Sequence, residues 1–216
     1  MIQARELHQM VEAIDRQFKL DSKVKEAFCK VNRKYFVPPV FAHLANQLEA
    51  LPLAQSQWIS SPVTVAKMTQ YLELDGVDSI LEIGCGSGYQ AAILSQLVRR
   101  VFTVERIDVL LKEARNRFSQ LELYNIFTRF DDGLRGWKEY APYERILFSA
   151  TATEIPETIF DQLAEGGILL APMQEGSLQI LTRFYKRHGR ITSETIEPCF
   201  FVPIVEGTQR EATRGI

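Results

Sequence analysis

The run Ser79-Ile80-Leu81-Glu82-Ile83, followed by Gly84-Cys85-Gly86-Ser87-Gly88-Tyr89, limits this chain more than any other segment. A mostly apolar stretch leads into glycines at every second position, and an apolar helical pattern resumes from Ala91 to Val98. Glycine has no Cβ, so a strand can turn sharply here and let a ligand approach the backbone. The first amides of the following helix can then face a polar or anionic group. A strand, a glycine turn and a helix in that order predict a nucleotide-cofactor loop.

From residue 79 onward, strands and helices alternate. Strands are expected at 79–83, 101–105, 126–130, 145–150 and 167–171, with helices near 89–98, 107–121 and 155–164. Strands of low internal polarity separated by helices argue for a parallel sheet covered on both faces. Gly166-Gly167 is expected to end a helix and open the fifth strand. Residues 177–186 and 196–204 read as two further strands around a turn at His188-Gly189. The fold class is therefore α/β: a doubly wound, mostly parallel, Rossmann-like sheet with an antiparallel C-terminal edge and an N-terminal helical addition.

Ahead of the sheet, Leu7, Met10, Val11, Ile14 and Phe18 recur at helical spacing, and Val24, Ala27, Phe28 and Val31 form a second stripe. Pro38-Pro39 stops that pattern. Ser61-Pro62 places a capping hydroxyl before a proline at the first helical position, and Val65, Met68, Thr69 and Leu72 give that helix a buried face. The expected organisation is a helical and loop region over 1–60, a core over 61–205 and a frayed polar tail over 206–216.

A chain of 216 residues, 46% of them hydrophobic, can bury its own core without staples. Its 25 basic and 27 acidic residues give a formal net charge of -2, which argues against a general polyanion binder and so against nucleic acid as a partner. Cys29, Cys85 and Cys199 are too scattered for a metal cluster or a CxxC pair. With neither a signal peptide nor an apolar run of bilayer length, the expectation is a cytoplasmic protein without a membrane or metal partner, monomeric or weakly dimeric.

Which cofactor the loop holds depends on what meets it at the strand ends. Glu105 closes Val101-Phe102-Thr103-Val104-Glu105, where a carboxylate can accept hydrogen bonds from both hydroxyls of a ribose. Asp131-Asp132-Gly133 closes the next strand and can meet an adenine edge. A dinucleotide loop would read Gly-x-Gly-x-x-Gly; here the glycines fall at 84, 86 and 88 and Glu82 precedes them. A carboxylate-rich pocket suits the sulfonium of S-adenosylmethionine and would oppose a pyrophosphate, so S-adenosylmethionine is favoured over NAD. The expected cofactor residues are Glu82, Gly84, Cys85, Gly86, Ser87, Gly88, Glu105, Arg106, Asp132 and Gly133, with Cys85 read as a small filler rather than a nucleophile.

The chain resembles the protein-L-isoaspartate O-methyltransferases of the class I methyltransferase superfamily over about residues 5 to 205. The resemblance rests on Arg33-Lys34-Tyr35-Phe36-Val37-Pro38, Gln57-Trp58-Ile59-Ser60-Ser61-Pro62, the stretch Leu81 to Ala92, Asp132-Gly133, Ala141-Pro142-Tyr143, Glu154-Ile155-Pro156 and Leu163-Ala164-Glu165-Gly166-Gly167. It implies S-adenosylmethionine-dependent methylation of the free carboxylate of L-isoaspartyl residues in damaged peptides and proteins. It also implies that the loop before Pro62 folds over the cofactor. Ser60 would then hydrogen-bond the acceptor carboxylate, in a pocket completed by Gln57, Trp58, Ile59, Ser149 and Ala150.

A carboxylate with an ordinary pKa of about 4 is already ionised at neutral pH, so an in-line displacement on it needs no general base. His8, His43 and His188 all fall away from the expected pocket. After the fourth strand stands Ser149-Ala150-Thr151-Ala152-Thr153, which does not resemble an amine-methylating Asn/Asp-Pro-Pro-Tyr element. The acceptor loop departs from the resembled pattern: Trp58 stands where threonine is common, and Ala45-Asn46-Gln47-Leu48 where Ala-Tyr-x-Asp is common. Ala54, Ser56 and Asp131 replace customary glycines. On the residues alone, a related methyltransferase with another acceptor and a noncatalytic S-adenosylmethionine-binding protein stay open as alternatives.

Overall fold

The computed structural model describes residues 2–210. The chain begins with two amphipathic helices, α1 (Ile2–Gln17) and α2 (Ser22–Lys30), whose Met10, Val11, Ile14, Ala27 and Phe28 are buried. A short hairpin follows, pairing the two-residue strands β1 (Leu51–Pro52) and β2 (Trp58–Ile59) across the loop 53–57. Helix α3 (Pro62–Tyr71) starts as its sequence demands: the Ser61 Oγ accepts from the Thr64 N–H at 3.0 Å, and Pro62 occupies the first turn, where a missing N–H costs nothing.

The core sheet contains β3 (Ser79–Ile83), β4 (Arg100–Glu105), β5 (Ile126–Phe130), β6 (Tyr143–Phe148), β7 (Leu163–Glu175), β8 (Leu178–Arg187) and β9 (Arg190–Pro198). Their spatial order is β5-β4-β3-β6-β7-β8-β9; the first five run parallel, and β8 and β9 add the expected antiparallel edge. Helices α4 (Tyr89–Leu94), α5 (Asp108–Gln120) and α6 (Glu157–Asp161) make the crossovers. Side chains alternate faces along each strand. Leu81, Ile83, Phe102 and Val104 pack in one apolar cluster, while Ile80, Val101 and Leu147 pack with α1 to α4 in the other. Strand order reverses between β4 and β6 on either side of β3, which opens a crevice at the carboxyl end of β3.

Three expectations are corrected. First, the fifth parallel strand begins at Leu163, ahead of Gly166-Gly167. Gly166, at φ +75, sits where the pairing with β6 slips from Tyr143↔Leu163 to Arg145↔Ile168, so the glycines mark a bulge and not a helix end. Second, the last strand spans 190–198 rather than 196–204. His188 and Gly189 take positive φ in a two-residue turn that pairs Arg187 with Arg190, so the strand starts at once. Pro203, lacking an N–H, lies in the segment that follows β9 and makes only an isolated bridge to Thr151.

Third, residues 206–210 are not frayed. The Gly207 N–H donates to Asp132 Oδ2 at 2.7 Å, Arg106 Nε donates to the Gly207 carbonyl at 2.9 Å, and the Gln209 N–H donates to the Arg106 carbonyl at 2.7 Å. Gln209 Nε2 also reaches Gln55 Oε1 at 2.8 Å. This strap returns the chain to the carboxyl edge of the sheet. Residues 211–216 lie outside the described residues.

Candidate active site

The parallel register sets Glu82 of β3 beside Thr103 of β4, and the Thr103 hydroxyl donates to Glu82 Oε2 at 2.6 Å. Glu82 is wholly buried, and its Oε1 has no hydrogen-bond partner. Burial, reinforced by the charge of nearby Glu105, pushes its carboxyl up to about 8, against the opposing Thr103 hydrogen bond and a weaker Ser149 interaction. A buried acid with an orphaned oxygen facing a cleft is costly unless a cation or a donor completes it.

Beyond Ile83 the chain turns back on its neighbours. The Gly84 N–H donates to the Val104 carbonyl at 2.9 Å, and the Ser149 N–H donates to the Ile83 carbonyl at 2.8 Å. Gly88 caps α4 at φ +88, and a Cβ there would stand 2.6 Å from the Phe118 ring, so position 88 admits glycine only. Glu105, at the end of β4, accepts the Gly86 N–H on Oε2 at 2.8 Å and the Ile107 N–H on Oε1 at 2.9 Å. It therefore fixes both the glycine loop and the start of α5 while facing the cleft, and its burial raises its pKa. Cys85 is buried, and burial beside Glu82 and Glu105 drives its thiol well above the ordinary value, which leaves it a filler.

These groups border a cleft that opens to solvent at the carboxyl end of the sheet. Of the expected cofactor residues, Glu82, Gly84, Cys85, Gly86, Ser87, Glu105, Arg106 and Gly133 line it, and so do all the expected acceptor residues, Gln57, Trp58, Ile59, Ser60, Ser149 and Ala150, with Ser149 seated against Gly84. Two expected cofactor residues do not line it. Gly88 is withdrawn as the helix cap. Asp132 has both oxygens engaged, Oδ1 by the Leu134 N–H at 3.0 Å and Oδ2 by the Gly207 N–H. Gly133, whose added Cβ would meet Ile83 Cγ2 at 2.5 Å, presents backbone to the cleft in its place.

The two serines before α3 divide their work. Ser61 Oγ is spent on the helix cap, bonded to the Thr64 N–H and hydroxyl. Among the described residues nothing accepts from or donates to the Ser60 hydroxyl, which lines the cleft. The hairpin's two-residue alternation buries Ile59 and turns Trp58 outward, 55% exposed at the rim, so the indole borders the mouth without filling it. Asn46 and Leu48 do not line the cleft; Leu48 packs on the core.

Sequence reasoning missed Tyr89, Gln90 and the segment Phe201 to Val205, all of which border the cleft. Gln90 carried a signal: it is the one polar residue in the buried run Tyr89–Leu94, and its Nε2 bonds Thr69 Oγ1 at 3.0 Å, tying α4 to α3. Pro203 was the clue that the segment around it does not continue β9: it makes only an isolated parallel bridge to Thr151, in which the Thr151 N–H donates to the Val202 carbonyl and the Ile204 N–H to the Thr151 carbonyl, both at 2.8 Å.

The residues fit a cationic nucleoside ligand. An orphaned carboxylate oxygen at Glu82, a second buried carboxylate at Glu105 and exposed loop backbone converge at the switch point of a parallel sheet. That fold and site define a class I S-adenosylmethionine-dependent methyltransferase. The chain is 55% identical over 203 residues to the protein-L-isoaspartate O-methyltransferase of Helicobacter pylori (strain P12), covering 94% of this chain and 97% of that protein. It is 47% identical to the enzyme of the same name from Maricaulis maris (strain MCS10), over 88% and 89% of the two chains. A Plasmodium falciparum structure assigned to the same enzyme, in complex with S-adenosyl-L-homocysteine, shares the fold with a TM-score of 0.83 at 20% identity, over 92% of this chain and 98% of that one. A family model described as Protein-L-isoaspartate(D-aspartate) O-methyltransferase matches residues 4–209. The chain belongs to that family.

Proposed function

We propose that Ser60 is the residue that aligns the acceptor, and that the cleft divides into a cofactor half under the glycine loop and an acceptor half under Gln57 to Ser60. The reaction is the S-adenosylmethionine-dependent methylation of isoaspartyl residues, the activity of the family. When bound, S-adenosylmethionine supplies a methyl group on a cationic sulfur that leaves as a neutral thioether. The protein's own part is orientation. Glu105, and Glu82 once the cation has displaced its proton, offer negative charge to the cationic donor, and the backbone at Gly84 to Gly86 and Gly133 lets it approach. The Ser60 hydroxyl donates to one oxygen of the acceptor carboxylate, leaving the other free to attack.

The observation that carries this reading is the free Ser60 hydroxyl beside a Ser61 already committed to the helix cap. No residue is needed as a base, because the acceptor enters ionised. Ser60→Ala should leave cofactor affinity within about twofold and reduce kcat/KM for an isoaspartyl peptide about 10- to 100-fold, the range expected when one orienting hydrogen bond is lost. Calorimetry beside steady-state kinetics measures both, and an unchanged kcat/KM removes Ser60 from the acceptor site.

The same reading gives the enzyme isoaspartyl-containing peptides or proteins as partners, with no nucleic acid or membrane, and a monomeric or weakly dimeric state in the cytoplasm. The free thiols of Cys29, Cys85 and Cys199 support a reducing compartment. No helix among the described residues is long and apolar enough to cross a membrane.

A further inference from the structure

One buried cation holds the acceptor loop, and the roles assigned above make no use of it. Arg33, in the short 3₁₀ turn Arg33–Tyr35, is fully buried. Its Nη1 donates to the carbonyls of Ala45 at 2.9 Å and Gln47 at 3.4 Å; its Nη2 donates to the carbonyls of Glu49 at 2.9 Å and Ser60 at 3.1 Å. Its Cζ lies 5.9 Å from the centre of the Tyr89 ring, the first residue of α4 after the glycine loop. No carboxylate of the described residues pairs with it. Burial lowers its pKa to about 10, so it remains charged at neutral pH.

A buried charge is expensive to hold, and a carboxylate is the usual way to compensate it. Here the compensation comes from main-chain carbonyls, gathered from both ends of the 45–60 loop. The rigid planar fork of a guanidinium can bridge two pairs of acceptors at fixed angles, which an ammonium cannot. Such a clamp reads the path of the backbone and ignores the side chains on it. Asn46, Leu48 and Trp58 can therefore differ from the family pattern while the loop keeps its course. The clamp also ends on the Ser60 carbonyl, and fixing the backbone of Ser60 fixes the origin from which its hydroxyl projects into the cleft.

We propose that Arg33 is a positioning residue for methyl transfer: its guanidinium clamps the acceptor loop by its carbonyls and sets Ser60 relative to Tyr89 and the cofactor loop. The proposal rests on the acceptor role of Ser60 given above. The charge and one pair of contacts survive in Arg33→Lys, but the fork is lost. The variant should bind S-adenosylmethionine within about threefold of wild type and show KM for an isoaspartyl peptide within about threefold. Its kcat should fall about 30-fold, as expected for a small misplacement of an orienting group. Because Arg33 acts through Ser60, the double variant Arg33→Lys/Ser60→Ala should be no slower than the slower single variant by more than about threefold.

A second pair of variants tests the clamp without touching Arg33. Gln47 and Glu49 have exposed side chains and contribute carbonyls only, so Gln47→Ala and Glu49→Ala should turn over within about twofold of wild type. The proposal is overturned if Arg33→Lys keeps its kcat, if its loss multiplies with that of Ser60→Ala, if cofactor affinity falls in step with kcat, or if either alanine variant drops tenfold. A wild-type enzyme inactive on the isoaspartyl peptide would sink the acceptor reading itself. An active wild type with an unaffected Arg33→Lys sinks the clamp alone.

Discussion

Replacing Glu105 with alanine will weaken S-adenosylmethionine binding about 100-fold, roughly 2.7 kcal/mol, and will also destabilise the protein. Two effects combine. The carboxylate is the acidic group at the end of β4 facing the cleft, and a hydrogen bond to a charged group contributes about 1.5–3 kcal/mol. It also holds the Gly86 and Ile107 N–H groups at 2.8 and 2.9 Å, which alanine would leave without their acceptors. Chemical denaturation should show a loss of about 2–4 kcal/mol for two such stranded donors. Glu105→Gln keeps one carbonyl oxygen and should recover part of the stability but little of the affinity. If Glu105→Ala binds cofactor as wild type does, the ribose-side assignment of Glu105 is wrong.

Glu82→Gln should do the opposite to stability. The Glu82 carboxyl stands near 8 in the folded protein against 4.5 in the unfolded chain, so the folded state holds a proton that the unfolded state has released between those values. Its contribution therefore makes stability fall as pH rises from about 4.5 to 8, beyond which the penalty levels off. At pH 7 the penalty is on the order of 3 kcal/mol. Glutamine carries no charge and can still accept from Thr103, so the variant should gain most of that amount and lose this part of the pH slope. Affinity for the cationic cofactor should drop about 10- to 100-fold at pH 8, where the ionised acid is the better partner. In wild type, binding below pH 8 should release a proton that is missing in Glu82→Gln. Calorimetry in buffers of different ionisation enthalpy counts it, and equal proton release in the two proteins would contradict the assignment.

Much of the architecture was legible because hydrophobic period and glycine position report local geometry. β3, β5 and the start of α3 fell where apolar runs, Ser61 and Pro62 set them. The C-terminal third was read less well, since what decides it is non-local. The register of β8 on β9 is fixed by a two-residue turn, and the path of 199–210 is fixed by bonds to Gln179, Thr151, Asp132, Arg106 and Gln55 from distant parts of the chain. Gly88 and Asp132 belong to the right motifs, yet their roles are to cap a helix and to bind the strap. Arg33 was visible as part of a motif, but no spacing rule connects residue 33 to carbonyls at 45, 47, 49 and 60. The outward turn of Trp58 follows from hairpin alternation once the pairing of Ile59 with Leu51 is known.

The most direct measurement is methyl transfer from labelled S-adenosylmethionine to two peptides that differ only in whether one residue is L-isoaspartyl or L-aspartyl. The site described here predicts label on the isoaspartyl peptide, released by mild base as expected of a methyl ester, and none above background on its aspartyl twin. Equal labelling of both, or of neither, would contradict it.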